Sequence, residues 1–284
     1  MIVDAHQHFW HFDSARHAWI TDEMSAIRRD FLPQHYEFEC AANGVDASVV
    51  VQVDQTESET SFLLDLADRF PRIVGVVGWV DLRSPIVAER LQHFVQFKKL
   101  RGFRHIAQAE PGDSFLVQPA FLDGIAQLRD FKFTYDILIY PKQLPAAIEL
   151  ASRFPQQPFV LDHLAKPFIK AGTLEPWASH IETLAQNPNV FCKLSGLVTE
   201  ADWRNWKPDD FRAYLDVVFA AFGADRLMFG SDWPVCLVAA SYAQVKELIE
   251  GYVDAHAPQY KQKLFGENAI RVYGLEAASH GLAA

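Results

Sequence analysis

Eight short apolar runs recur along the chain, at 2–6 (IVDAH), 47–53 (ASVVVQV), 73–80 (IVGVVGWV), 101–106 (RGFRHI), 133–139 (FTYDILI), 158–162 (PFVLD), 190–195 (VFCKLS) and 226–231 (RLMFGS). Most do not alternate with polar residues. Continuous apolar runs of this length suit strands buried on both faces, as in a parallel sheet. Stretches with apolar residues at helical spacing lie between them. Residues 58–70 (SETSFLLDLADRF) begin on a capping-type Ser, and 85–97, 119–130, 142–154, 176–187, 209–222 and 240–250 share the character, with a terminal helix over 258–274. Pro85, Pro119 and Pro176 stand where a first helical turn tolerates proline.

Eight strands, each followed by a helical segment, in about 250 residues is the arithmetic of a (β/α)8 TIM barrel. A doubly wound open sheet shares the alternation, but no GxGxxG follows the first run, which weakens its dinucleotide-binding version. The expectation is an α/β chain forming one TIM-barrel domain over residues 1–284. No low-complexity tract or linker divides it.

Composition narrows the partners. With 26 Lys+Arg against 36 Asp+Glu the formal charge is −10, a poor match for non-specific nucleic-acid binding. No apolar run is long enough to span a membrane, and MIVDAHQHFW lacks the basic end and apolar run of a signal peptide. Cys40, Cys192 and Cys236 are far apart and odd in number, so they read as reduced, buried thiols in a cytoplasmic protein. Oligomeric state is left open, with monomer and homo-oligomer both compatible.

A barrel carries its chemistry at the carboxyl ends of its strands. The first run ends in His6 and His8, whose side chains, two apart on a strand, point the same way. The sixth ends in Asp162 and His163, the eighth in Asp232, and the fourth carries Arg104 and His105. Two His from one strand, one from another and an Asp from a third make an N/O ligand set for one divalent ion. HxH alone is weak; the joint placement is the signal.

AHQHFW at the start, DHLAKP at 162–167, KLSG at 193–196, FGSDWP at 229–234 and the tail LFGENAIRVYGL resemble the amidohydrolase superfamily, and within it the amidohydrolase-2 branch of sugar and dicarboxylate lactonases. The resemblance runs from residue 2 to about residue 275. It implies a (β/α)8 barrel and hydrolysis of a cyclic ester. Carried over position by position, His6 and His8 match the first-strand pair, His163 the sixth-strand histidine and Asp232 the eighth-strand aspartate. The fifth run has no His or Lys within it, Lys142 lying just beyond, which argues against a two-metal centre. The resemblance thus implies a mononuclear site, with one ion such as zinc held by His6, His8, His163 and Asp232, or a site that works without metal.

The chemistry expected is lactone opening, with Asp232 as general base and His163, His6 and His8 polarising the carbonyl directly or through a cation. Trp79, Tyr140, Trp203 and Trp233 follow strand ends and offer faces for sugar stacking, while Gln52, Arg104 and Lys166 offer hydroxyl-reading groups. His105 is expected to face away from the mouth. Trp10 and Phe9 read as core, and the RRDF stretch at 28–31 as a solvated charge cluster. The leading substrate is a neutral aldonolactone such as L-fucono- or L-rhamnonolactone. A dicarboxylate lactone of the pyrone or muconolactone type is the alternative, and would need further cations converging with Arg104. A metal-dependent decarboxylase and a non-catalytic sugar-binding barrel are the remaining readings.

Overall fold

The computed structural model describes residues 1–276. Eight parallel strands run in sequential order: β1 (Val3–Gln7), β2 (Ala47–Val51), β3 (Ile73–Gly78), β4 (Leu100–His105), β5 (Thr134–Ile137), β6 (Phe159–Leu161), β7 (Val190–Leu194) and β8 (Leu227–Phe229). Ladder pairing joins each to the next. The last side is closed just beyond β8, where Asp232 N–H donates to His6 O at 2.8 Å and His8 N–H to Trp233 O at 2.7 Å. The barrel seam is therefore made by two of the site's own segments.

Helices wrap the outside: α1 (Pro33–Asn43), α2 (Glu57–Arg69), α3 (Val87–Phe94), α4 (Pro119–Leu128), α5 (Leu144–Arg153), α6 (Trp177–Ala185), α7 (Asp209–Phe222) and α8 (Tyr242–His256). All eight strands fall where the apolar runs lie. The helix α1 has no counterpart among the expected segments. Its buried face consists of Pro33, Tyr36 and Cys40 in an otherwise polar PQHYEFECAAN, too thin an apolar stripe to register. The expected terminal helix is present: a turn at Pro258–Tyr260 runs on through a π-helical stretch, Lys263–Glu267, into α9 (Asn268–Tyr273). Pro119 occupies the first turn of α4, whereas Pro85 precedes α3 and Pro176 sits just before α6.

Two apolar layers hold the architecture. One lies between strands and helices. The other fills the barrel interior with Val3, Ala5, Val49, Val51, Val160, Phe191 and Met228, and is closed at the amino end by Ala269 and Tyr273 of α9. Burying an apolar side chain of this size stabilises by roughly 1.5–3 kcal/mol. The alternation that puts Val160 and Phe191 inside also puts Asp162, Lys193 and Ser195 inside, nearer the carboxyl end. The three cysteines are buried and free. Among the described residues no helix is long and apolar enough to cross a membrane. In the 28–31 stretch Arg29 and Asp30 are exposed, but Phe31 is buried and bridges Trp10.

Candidate active site

The β1 ladder shifts register between Asp4 and Gln7. The shift lets both Ala5 and His6 serve the interior, and His8 follows on the same side. Gly230 makes room for this: a Cβ there would stand 2.7 Å from His6 Cβ. After β6 the chain turns through four residues of positive φ, His163 to Lys166. The turn is held by Trp177, whose indole N–H donates to Leu164 O at 2.7 Å. It aims the His163 ring into the barrel, where Gly196, itself at φ 64°, leaves the space the ring fills; a Cβ at 196 would lie 2.5 Å from His163 Nδ1. Asp232 also has a positive φ, 57°.

These devices converge four side chains from three strand ends. His8 Nε2 lies 3.2 Å from Asp232 Oδ1, His6 Nε2 3.8 Å and His163 Nε2 3.9 Å. His6 Nε2 and His8 Nε2 are 3.2 Å apart. His8, His163 and Asp232 keep 3–5 % exposure and His6 none, so the cluster opens to solvent past the first three. Burial holds His6 neutral, well below the usual imidazole value, and takes His163 down to about 4. Burial opposes the charge on Asp232, but the surrounding imidazoles outweigh it and keep the carboxyl well below its usual range.

The donor set suits a divalent cation. His8 Nδ1–H donates to Val51 O at 2.7 Å, so a neutral His8 presents an unprotonated Nε2. That lone pair and the Asp232 carboxylate oxygen, both acceptors, stand 3.2 Å apart in a buried site, which calls for a positive charge between them. Nitrogen donors about 2.0–2.1 Å from a tetrahedral zinc are separated by about 3.3 Å, close to the spacing here. His6, His8 and Asp232 form one such group, and His6, Asp162 and His163 another that shares His6.

Beneath the cluster lies a charged layer that includes two residues the sequence reading passed over, Asp136 on β5 and Lys193 on β7. Lys193 Nζ contacts Asp136 Oδ2 at 2.6 Å, Asp162 Oδ1 at 3.0 Å and His6 Nδ1 at 3.2 Å. Tyr273 OH donates to Asp136 Oδ2 at 2.7 Å. Arg104 Nη1 donates to Asp162 Oδ2 at 2.9 Å and lies 3.4 Å from His6 Nε2. Burial opposes the charge of Asp162, and Lys193, His6 and Arg104 more than offset it. The available signal is a Lys and an Asp inside apolar runs, VFCKLS and FTYDILI, which are costly to bury unless they meet.

The expected substrate contacts divide. Arg104 is 4 % exposed and bonded to Asp162, to Gln52 O and, at 3.1 Å, to Gln52 Oε1, so Arg104 and Gln52 brace the interior rather than stand free at the mouth. Trp233 is 2 % exposed and packs on Phe31 and Tyr36 at 5.2 and 5.1 Å between centroids, a core position rather than a rim one. Trp79 is half-buried, its indole N–H on His105 Nδ1 at 3.3 Å; His105 faces outward and stacks on Phe115. Tyr140 is exposed after β5, with Lys166 Nζ 5.6 Å over its ring. Trp203 lines a cleft of about 680 Å³ between α7 and α8, and none of that cleft's lining residues belongs to the His/Asp cluster.

A family model described as "Amidohydrolase" matches residues 3–275. The chain is similar to an L-fucono-1,5-lactonase of Burkholderia multivorans, 42% identical over 284 residues, covering 96% of each protein. It is also similar to an L-fucono-1,5-lactonase of Burkholderia ambifaria, 37% identical over 98% of this chain and 97% of that one. A crystal structure of a Burkholderia multivorans amidohydrolase with bound zinc superposes with a TM-score of 0.93 at 41% identity, covering 97% of this chain and 100% of that one.

Proposed function

The chain belongs to the amidohydrolase family, and from that premise we propose that it hydrolyses a neutral sugar-acid lactone of the L-fucono-1,5-lactone type to the open acid. The observation that carries the reading is Asp232, buried at a strand end and surrounded by three imidazoles within 3.9 Å. The names of the two Burkholderia relatives support the substrate class. A dicarboxylate substrate fits less well, because the interior guanidinium, Arg104, already serves Asp162.

Asp232 orients a water molecule and accepts its proton as the oxygen attacks the lactone carbonyl carbon. His163 hydrogen-bonds Ser195 Oγ through Nδ1 at 2.9 Å. With the Ser195 hydroxyl donating there, Nε2–H faces the reacting carbonyl and stabilises the oxyanion. As the ring C–O bond breaks, the departing alkoxide oxygen takes the proton held on Asp232. Such acid–base assistance contributes about 10²–10⁴-fold and an oxyanion donor about 10²–10³-fold. His6 and His8 through Nε2, with Asp232 through Oδ1, would hold one divalent ion such as zinc, which supplies a Lewis acid for the carbonyl oxygen. Tyr140, exposed after β5, and Lys166, whose Nζ lies 5.6 Å over the tyrosine ring, would read the sugar ring.

A pH-indicator assay over a panel of aldonolactones, with and without chelator, tests the reading. Turnover of L-fucono- or L-rhamnonolactone that Asp232→Asn abolishes in a folded protein is the expected result. Silence on every sugar lactone, or near-normal rates in the folded variant, overturns it.

A further inference from the structure

His6 Nδ1 lies 3.2 Å from Lys193 Nζ, which can only donate, and 3.2 Å from Asp162 Oδ1, which can only accept when ionised. A neutral imidazole carries one N–H, so it satisfies one of these neighbours at a time. We propose that Lys193 and Asp162 compete for His6 Nδ1, and that the outcome decides whether His6 Nε2 is available as a cation ligand. Lys193 is thus a positioning residue that acts on the site through His6. This rests on the reading above that His6 belongs to the cation-binding set.

Each state pairs His6 Nδ1, and Arg104 Nη1, a donor 3.4 Å from His6 Nε2, sides with Asp162 in favouring the second. In the first, Lys193 donates to Nδ1 and the His6 proton sits on Nε2. From there it donates to His8 Nε2 at 3.2 Å, while His8 Nδ1–H donates to Val51 O. This chain pairs every ring nitrogen of the two histidines without a metal. In the second, Nδ1–H donates to Asp162 Oδ1, an oxygen otherwise left to Lys193, and Nε2 turns a lone pair to the site. Passing from first to second releases the Nε2 proton to water and takes one up at Nδ1, so no net charge changes. A cation at His6 and His8 requires the second state. Lys193 favours the first and therefore weakens cation binding; Asp162 favours the second and strengthens it.

The site then has a tuned affinity rather than a maximal one. Lys193 is anchored independently of His6 by Asp136 and Asp162, and Asp136 by Tyr273, so its ammonium stays beside Nδ1 in either state. The ligand tautomer of an interior histidine is thereby set from β7 and β5, strands that supply no ligand to the His6–His8–Asp232 group.

The test uses metal-free full-length protein labelled with ¹⁵N-histidine, whose long-range ¹H–¹⁵N correlations separate the two tautomers. His6 is assigned by the loss of its signals in His6→Gln. Wild type is expected in the Nε2–H form, Lys193→Met in the Nδ1–H form, and wild type plus one equivalent of zinc in the Nδ1–H form. Competition with a chromophoric chelator is expected to show zinc bound about tenfold more tightly by Lys193→Met and about 10–100-fold more weakly by Asp162→Asn. Lys193→Arg keeps charge and donor, and should retain the wild-type tautomer. An Nδ1–H form in metal-free wild type overturns the inference, even if every variant fails to fold. So does an unchanged tautomer in Lys193→Met, since a tighter zinc affinity would then reflect lost charge alone. If the tautomers behave as expected but wild type takes up no zinc, control of His6 by Lys193 stands and the cation reading falls.

Discussion

Gly196→Ala tests whether the His163 ring is held by the turn after β7. The backbone there is left-handed, φ 64°, which costs an L-residue roughly 1–2 kcal/mol. The new Cβ would also stand 2.5 Å from His163 Nδ1, 2.7 Å from Cγ and 3.0 Å from Cβ, where ordinary contacts begin near 3.4 Å. Restoring contact distance moves ring or turn by roughly 1 Å, and overpacking of this kind adds about 1–3 kcal/mol. The sum, about 2–5 kcal/mol, lowers Tm by about 2–4 °C per kcal/mol. A 1 Å misplacement of a reacting group costs about 10²-fold in rate. Gly172→Ala is the control: its φ is 62° and nothing lies within 4 Å of its Cβ, so it carries the backbone cost without the collision. Thermal melting and lactone turnover of the two variants are to be compared. Gly172→Ala should lose about 1–2 kcal/mol and keep its kcat. Equal Tm losses, or a Gly196→Ala kcat within twofold of wild type, would refute the argument that the turn places the ring.

The other expectations concern charge. Burial pushes the Glu59 carboxyl from 4.5 up to about 8, although it accepts N–H groups of Val53 and Asp54. The folded chain therefore binds an extra proton between those values, and its Glu59-linked stability, full below about 4.5, is lost as pH rises through about 8. Glu59→Gln should flatten the fall in Tm between pH 5 and 8.5, and parallel curves would count against it. Arg104→Met leaves Asp162 with Lys193 at 3.0 Å and should cost about 3 kcal/mol in denaturant unfolding, the lower end for a broken buried pair. A change under 1 kcal/mol would show that Arg104 is not needed to hold that carboxylate. Asp232→Asn should lower kcat about 10²–10⁴-fold with Tm little changed, and a preserved rate would remove it as the base. Dialysis against chelator should lower turnover and added zinc restore it; unaltered rates throughout would favour metal-free chemistry by the same residues.

The strand rhythm was legible because a parallel barrel strand is buried on both faces, and a short, mostly apolar run that does not alternate with polar residues says so without reference to anything distant. The His6, His8, His163 and Asp232 set was legible for a related reason: ionisable residues at the ends of such runs cluster wherever the strand ends cluster. The thin apolar face of α1 carried no comparable local signal.

Tertiary structure alone decided the rest. Whether Arg104 faced a substrate or a carboxylate depended on Asp162, 58 residues away, arriving at 2.9 Å. Trp233 reads as a strand-end aromatic until closure of the barrel between β8 and β1 buries it against Phe31 and Tyr36. Lys193 and Asp136, each an anomaly in its own apolar run, become a pair only when two strands separated by β6 turn their side chains into one interior. Burial of a single polar residue is a local fact that sequence can suggest. Its partner is fixed by the closure of the sheet, because the energy that makes a buried charge tolerable comes from groups the chain brings together only on folding.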